Sequence, residues 1–269
     1  MLSPTPIDPH THPLYATPWP TVVIIIAYFA FVLKLGPEFM KDRKPYDLRG
    51  VIKAYNIIQI LYNLYGLYGA VRFLFFMDTY DIKCLKSLPL DHPHKDYERY
   101  LCNIYGINKF MDLTETIFFV LRKKDKQLTF LHLFHHSIMA SIGYIVVTIH
   151  GYGGLLFPAC TLNAFVHVVM YTYYYLSSVN SSVQKSIWWK KYITLVQLAQ
   201  FVIVQVLIIK TISNPNCNYA KLPMGICFIF NPIFIGLFSH FYIKTYILSP
   251  KKSPKKDQDS LNSKEEKVN

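Results

Sequence analysis

A chain of 269 residues with 52% hydrophobic and 16% aromatic content carries a formal net charge of +12. Seven predominantly apolar runs, each near the roughly 20 residues that cross a bilayer's hydrocarbon, occupy residues 19–35, 51–76, 100–121, 130–149, 154–178, 188–209 and 224–248. They leave too little chain for a separate soluble domain, and the positive charge does not mark a nucleic-acid binder, because its cations fall in alternate loops.

The expected architecture is all-α: a polytopic membrane domain of seven helices over residues 1–248, followed by a disordered, mixed-charge tail over 249–269. Lys41, Arg43, Lys44 and Arg49 follow the first run; Arg122, Lys123, Lys124 and Lys126 follow the third; Lys185, Lys190 and Lys191 follow the fifth; Lys251, Lys252, Lys255 and Lys256 sit in the tail. The intervening loops balance cations with carboxylates or carry few of either. The positive-inside rule therefore puts the tail in the cytosol and the amino terminus on the other side. Pro18 and Pro20 stand at the start of the first run, without a basic leader or a small-residue cleavage site, so it reads as a retained span rather than a signal peptide.

Polar stripes recur along the runs. The second carries Asn56, Gln59 and Asn63, a spacing suited to interhelical hydrogen bonds. The third carries Lys109, Asp112, Glu115 and Thr116 on one helical side. The fourth opens on His132-Leu133-Phe134-His135-His136, three imidazoles within about 100° of one another on a helix. Ionisable groups at bilayer depth are costly and mark a functional path. The fifth run carries Asn163, His167, Met170, Tyr171 and Tyr174, and the sixth carries Thr194, Gln197 and Gln200, followed by Phe201. At a rise of 1.5 Å per residue from the basic loops, His135, Glu115, Asp112, His167 and Gln197 all lie about 10–17 Å deep. Groups at one level can build one site.

Of the five cysteines, Cys84 and Cys217 fall in loops outside the cytosol, where they are either a bridge or two free thiols. Three kinds of chemistry suit the histidines. Imidazoles ligate metals, and a single His-x-x-His-His box with His167 offers enough ligands for one zinc, although the di-iron membrane desaturases and hydroxylases need several such boxes. Imidazole also serves as base or nucleophile in acyl transfer. No Gly-x-Ser-x-Gly elbow occurs, and Cys160 is seven residues from His167, too far for direct proton transfer. A seven-span transporter or receptor with a polar cavity is the non-enzymatic alternative to both a metal-dependent lipid oxidoreductase and an acyltransferase.

A longer set of motifs separates these alternatives. Gly36-Pro37-x-x-Met40-x-x-Arg43-x-Pro45, Asn56-x-x-Gln59, Lys109-x-x-Asp112-x-x-Glu115-Thr116, Arg122-Lys123-Lys124, His132-x-x-His135-His136, Asn163-x-x-x-His167-x-x-Met170-Tyr171-x-Tyr173-Tyr174 and Thr194-x-x-Gln197-x-x-Gln200-Phe201 follow in order. In this the chain resembles the very-long-chain fatty acid elongases, membrane 3-ketoacyl-CoA synthases of the endoplasmic reticulum. In one motif the carboxylates are exchanged, since the family usually has Lys-x-x-Glu-x-x-Asp-Thr. The C-terminus has Lys267 but Glu266 where a dilysine retrieval signal needs a second lysine.

The resemblance implies condensation of a long-chain acyl-CoA with the co-substrate malonyl-CoA, giving a 3-ketoacyl-CoA, carbon dioxide and CoA, with no bound cofactor and no metal. It implies His135 as nucleophile forming an acyl-imidazole, with His167 stabilising the enolate or sharing the nucleophilic duty. His132 and His136 would set tautomer and orientation, and Asp112 or Glu115 would hold an imidazole proton. Lys109, Thr116, Tyr171 and Tyr174 are expected at the substrate, with Asn163, Gln197 and Gln200 lining the oxyanion site. Arg122, Lys123 and Lys124 would attract the CoA phosphates. Helices two to seven would enclose an acyl tunnel. Membrane lipid, the other enzymes of an elongation cycle and a second copy of the chain are the expected partners, with no nucleic acid among them.

Overall fold

The computed structural model describes residues 8–77, 80–81 and 83–248; the tail over 249–269 lies outside the described residues. Seven long helical segments occur among the described residues: α1 (Pro18–Met40), α2 (Arg49–Phe76), α3 (Lys95–Leu121), α4 (Phe130–His150), α5 (Leu156–Val179), α6 (Ile187–Ile212) and α7 (Lys221–Ile247). No strand occurs among them. α1, α4, α6 and α7 are long and apolar enough to cross a membrane. α2, α3 and α5 are the less apolar helices, and they pack on one another.

The distribution of polarity is that of a multi-pass membrane protein. Outward side chains are apolar, among them Ile26 and Leu33 on α1, Leu61 on α2, Val202 and Ile209 on α6 and Ile229 on α7. Inward ones include Asn56, Gln59, Asn63, Lys109, Asp112, His167 and Gln200, all buried. A soluble bundle would reverse this order, since charges are seldom buried and large apolar patches seldom exposed.

Contacts between successive neighbours close a ring in the order α2–α3–α4–α7–α6–α5 and back to α2, the α2–α5 pair being the most extensive. α1 stands outside the ring against α3 and α4. It approaches α3 closely because position 36 is glycine: a Cβ there would lie 2.7 Å from Val120 Cγ1. Pro37, which lacks an N–H and crowds the preceding turn, sits just after a π-helical turn over Phe31–Leu35 that absorbs the disturbance. In α7, Pro232 falls inside the helix, and the adjacent Asn231 ties it to α6 by donating to the Phe201 carbonyl and Gln205 Oε1, each at 2.9 Å.

The basic loops lie at one end of the ring. At the opposite end α3 begins five residues earlier than hydropathy indicated, because its charges are paired. Lys95 Nζ is 2.6 Å from Glu98 Oε2 and donates to the Tyr152 carbonyl at 3.0 Å, while Tyr80 donates to Glu98. Arg99 Nε contacts both carboxylate oxygens of Asp8 at 2.9 Å. Gly153 has φ +98°, and a side chain there would collide with Glu98. Cys84 and Cys217 are joined in a disulfide across 133 residues of chain. A bridge closing so long a loop restricts the unfolded chain, so Cys217→Ser is expected to cost about 2–5 kcal/mol. The thermal midpoint of detergent-purified protein reads this; an unchanged midpoint would mean that the ion pairs alone hold this end.

Candidate active site

Thr129 accepts from the His132 amide at 3.2 Å and so caps the first turn of α4. That start turns all three imidazoles into the ring. The His132 and His136 ring centroids are 4.2 Å apart, and the His135 ring stands edge-on to His136 at 5.4 Å. His132 Nε2 is 2.8 Å from Thr116 Oγ1, which accepts from the Tyr28 hydroxyl at 3.0 Å. Thr116 thereby links the His132 ring to Tyr28 of α1. Among the described residues no hydrogen bond to the His135 ring occurs; its ring neighbours are His136, Phe234 and Phe238. One imidazole is clamped and its neighbour is free.

Across the ring, Asp112 is the centre of a buried polar network. Lys109 Nζ lies 2.8 Å from Oδ2, while Gln59 Nε2 and the Tyr171 hydroxyl donate to Oδ1 at 3.2 and 3.0 Å. Lys109 also donates to Asn163 Oδ1 at 2.9 Å and approaches His167 Nε2 to 3.3 Å. An ammonium only donates, so Nε2 of His167 is the acceptor and Nδ1 bears the proton. That N–H faces Asp112 Oδ2 at 3.7 Å. Asn163 in turn donates to Gln200 Oε1 at 3.4 Å.

A cavity of about 330 Å³ lies between these groups, lined by His132, His135, His136, His167, Glu115, Asn163, Tyr174, Gln197 and Gln200. Glu115, Phe119, Gln127 and Tyr174 are shared with a wider mouth of about 760 Å³ at the basic end, bordered by Arg49, Arg122 and Lys124. On the other side Asn163, Gln200 and Phe201 are shared with an apolar cavity of about 120 Å³ that also touches Lys109. Three spaces of different polarity thus meet in series, with the imidazoles in the middle one.

The remaining expected residues stand differently. Thr116, Asp112 and Tyr171 lie behind the wall and act on the histidines or on Lys109. Lys123, with φ +52°, turns aside and donates to the Lys41 carbonyl at 3.2 Å rather than bordering the mouth. Gln197 Nε2 lies 3.7 Å from Met170 Sδ. Among the described residues no cluster of three or more His, Cys, Asp or Glu side chains has the arrangement of a metal site.

The family model described as ELO: GNS1/SUR4 family matches residues 13–255. The chain belongs to this family. Very long chain fatty acid elongase F of Drosophila melanogaster is 52% identical over 94% of this chain and 99% of its own length. Very long chain fatty acid elongase 7 of Rattus norvegicus is 37% identical over 87% of this chain and 83% of its own. Human very long chain fatty acid elongase 4 is 36% identical over 93% and 78%.

Within this ELO-family site three contributors stand outside the expected site residues, although one of them, Gln59, belongs to the Asn56-x-x-Gln59 motif. Gln59 on α2 bonds Asp112 and is itself held by the Tyr55 hydroxyl at 2.8 Å and by Asn108 Nδ2 at 2.6 Å. The Asn56, Gln59, Asn63 stripe was the available signal, but its spacing suits structural bonding equally well. Tyr55 and Asn108 carry no signal beyond helical phase.

Proposed function

We propose that this protein is the condensing enzyme of fatty acid elongation, joining an acyl-CoA to malonyl-CoA to give a 3-ketoacyl-CoA two carbons longer, carbon dioxide and CoA. Membership of a family whose relatives are named fatty acid elongases supports the reaction class. The observation that carries the mechanism is His135, a ring free of hydrogen bonds on the wall of a cavity between a basic mouth and an apolar chamber. All seven long helices cross the membrane in this reading. The basic loops face the cytosol and the disulfide-bearing end faces the oxidising lumen of the endoplasmic reticulum.

The mouth takes the CoA portion, its phosphates attracted by Arg49, Arg122 and Lys124, and the acyl chain runs past the histidines into the apolar chamber. A nitrogen of His135 attacks the thioester carbon; the C–S bond breaks, CoA leaves as the thiol carrying the imidazole proton, and an acyl-imidazole remains. Malonyl-CoA then enters the mouth, loses carbon dioxide, and its enolate attacks the acyl carbon. The C–N bond breaks and the imidazole regains a proton, one proton being taken up overall. Lys109, hydrogen-bonded to His167 Nε2 and touching the apolar chamber, supplies positive potential near that enolate, in a setting that is preorganised rather than solvated. Asp112 positions both. Glu115, which lines the cavity at the mouth, is the carboxylate within reach of arriving substrate.

The test is product profiling. Expressed in yeast lacking its own elongases, the chain should lengthen fatty acids by two-carbon units, and microsomes should release labelled carbon dioxide from malonyl-CoA only when acyl-CoA is present. Release that is independent of acyl-CoA, with no lengthened products, refutes the reading.

A further inference from the structure

The apolar chamber is closed in part by a residue from outside the helical ring. Tyr15 belongs to a short helix, Pro13–Ala16, that precedes α1, yet its side chain is almost fully buried and lines the chamber beside Gly106 of α3 and Gly143 and Val147 of α4. One glycine makes its seat: a Cβ at Gly106 would collide with the Tyr15 hydroxyl, whereas one at Gly143 would make an ordinary contact with it at 3.9 Å. The phenol therefore fills a gap between α3 and α4 that their own side chains leave open.

The segment bearing Tyr15 is fastened from both sides of that gap. The His12 amide donates to the Tyr152 hydroxyl at 2.9 Å, and Asp8 grips Arg99 at 2.9 Å. Tyr15 itself packs on Val147 and Tyr152, with Phe110 and Tyr144 alongside. Along α4 the chamber runs from Met139 to Val147, eight residues, or about 12 Å at the helical rise. Its walls are mainly apolar, with Lys109, Asn163, Gln200 and Asn231 as polar exceptions. An acyl chain growing by two carbons per cycle must stop where this space ends.

We propose that Tyr15 is the length stop of the acyl chamber, so that the amino-terminal segment, rather than the catalytic ring, sets the longest chain this protein produces. The inference rests on the condensation reading above and adds to it a specificity-determining residue. A longer chain would have to displace a buried phenol whose segment is tied down by the buried Asp8–Arg99 ion pair.

The experiment compares the full-length wild-type chain with Tyr15→Ala and Gly143→Leu in microsomes. Each receives a series of saturated acyl-CoA primers and labelled malonyl-CoA, and the ratio of the longest product to the one before it is read within each reaction. Total activity cancels from that ratio. Tyr15→Ala opens the gap and should extend the longest product by at least one two-carbon unit. Gly143→Leu adds a side chain towards the same space and should shorten it by at least one. Opposite shifts cannot arise from loss of folding. Wild-type product lengths in both variants, or loss of all condensation in both, overturn the length-stop assignment. A wild-type chain that condenses nothing overturns the elongation reading instead, and the two failures are thereby told apart.

Discussion

His135→Ala is expected to abolish acyl transfer while leaving the fold intact. Because the His135 ring has only aromatic neighbours and borders a cavity, its removal leaves no buried donor or acceptor stranded, and the thermal midpoint should move little. Condensation should fall by about a thousandfold or more, as losses of a nucleophile do. The half-reaction separates nucleophile from enolate stabiliser. Given acyl-CoA and no malonyl-CoA, the wild-type chain should release one CoA per chain and gain the mass of one acyl group on His135, and His135→Ala should do neither. His167→Ala should still release that CoA and then stall before carbon–carbon bond formation. If instead His167→Ala blocks acylation while His135→Ala permits it, the roles are reversed.

The sequence discloses the central cavity better than the network behind it, and the reason is geometric. His132, His135 and His136 are three polar rings in an apolar run, so their common direction follows from helical phase alone, and the basic loops fix their depth. His167, Asn163 and Gln200 join them because residues at one depth on inward faces must meet. Phase and depth say nothing, however, about which donor takes which acceptor. Lys109, Asp112, Glu115 and Thr116 share one face of α3, yet Asp112 bonds Gln59 and Tyr171, Thr116 bonds His132, and Glu115 lines the cavity. These choices depend on azimuthal angles of tens of degrees, set by packing against α2, α4 and α5. Lys123 shows the same limit in a loop, where one left-handed residue redirects a cation that the resemblance places at the mouth. Tyr15 was illegible for another reason: it comes from a short helix outside any apolar run, and only the glycine at position 106 that receives it gives it a place.

The second large effect belongs to Lys109 and Asp112, which behave as one unit. Both are buried, 3% and 2% exposed, with their charges 2.8 Å apart. Asp112→Asn keeps an acceptor for Gln59 and Tyr171 but leaves the ammonium without its counter-charge; Lys109→Met leaves the carboxylate with only neutral donors. Removing one partner of a buried pair costs about 3–5 kcal/mol, whereas removing both is often nearly neutral. Each single variant should therefore lower the thermal midpoint of the detergent-purified protein sharply, and the double variant Lys109→Met with Asp112→Asn should recover most of that loss. Turnover should not recover. Without the ammonium, His167 Nε2 loses its donor and the enolate loses the nearest positive charge, an electrostatic loss of about a hundredfold or more in rate. A double variant destabilised by the sum of the two single losses would show that the two charges are not coupled. A double variant that regains turnover as well as stability would show that the pair serves the fold alone, with catalysis resting on the imidazoles.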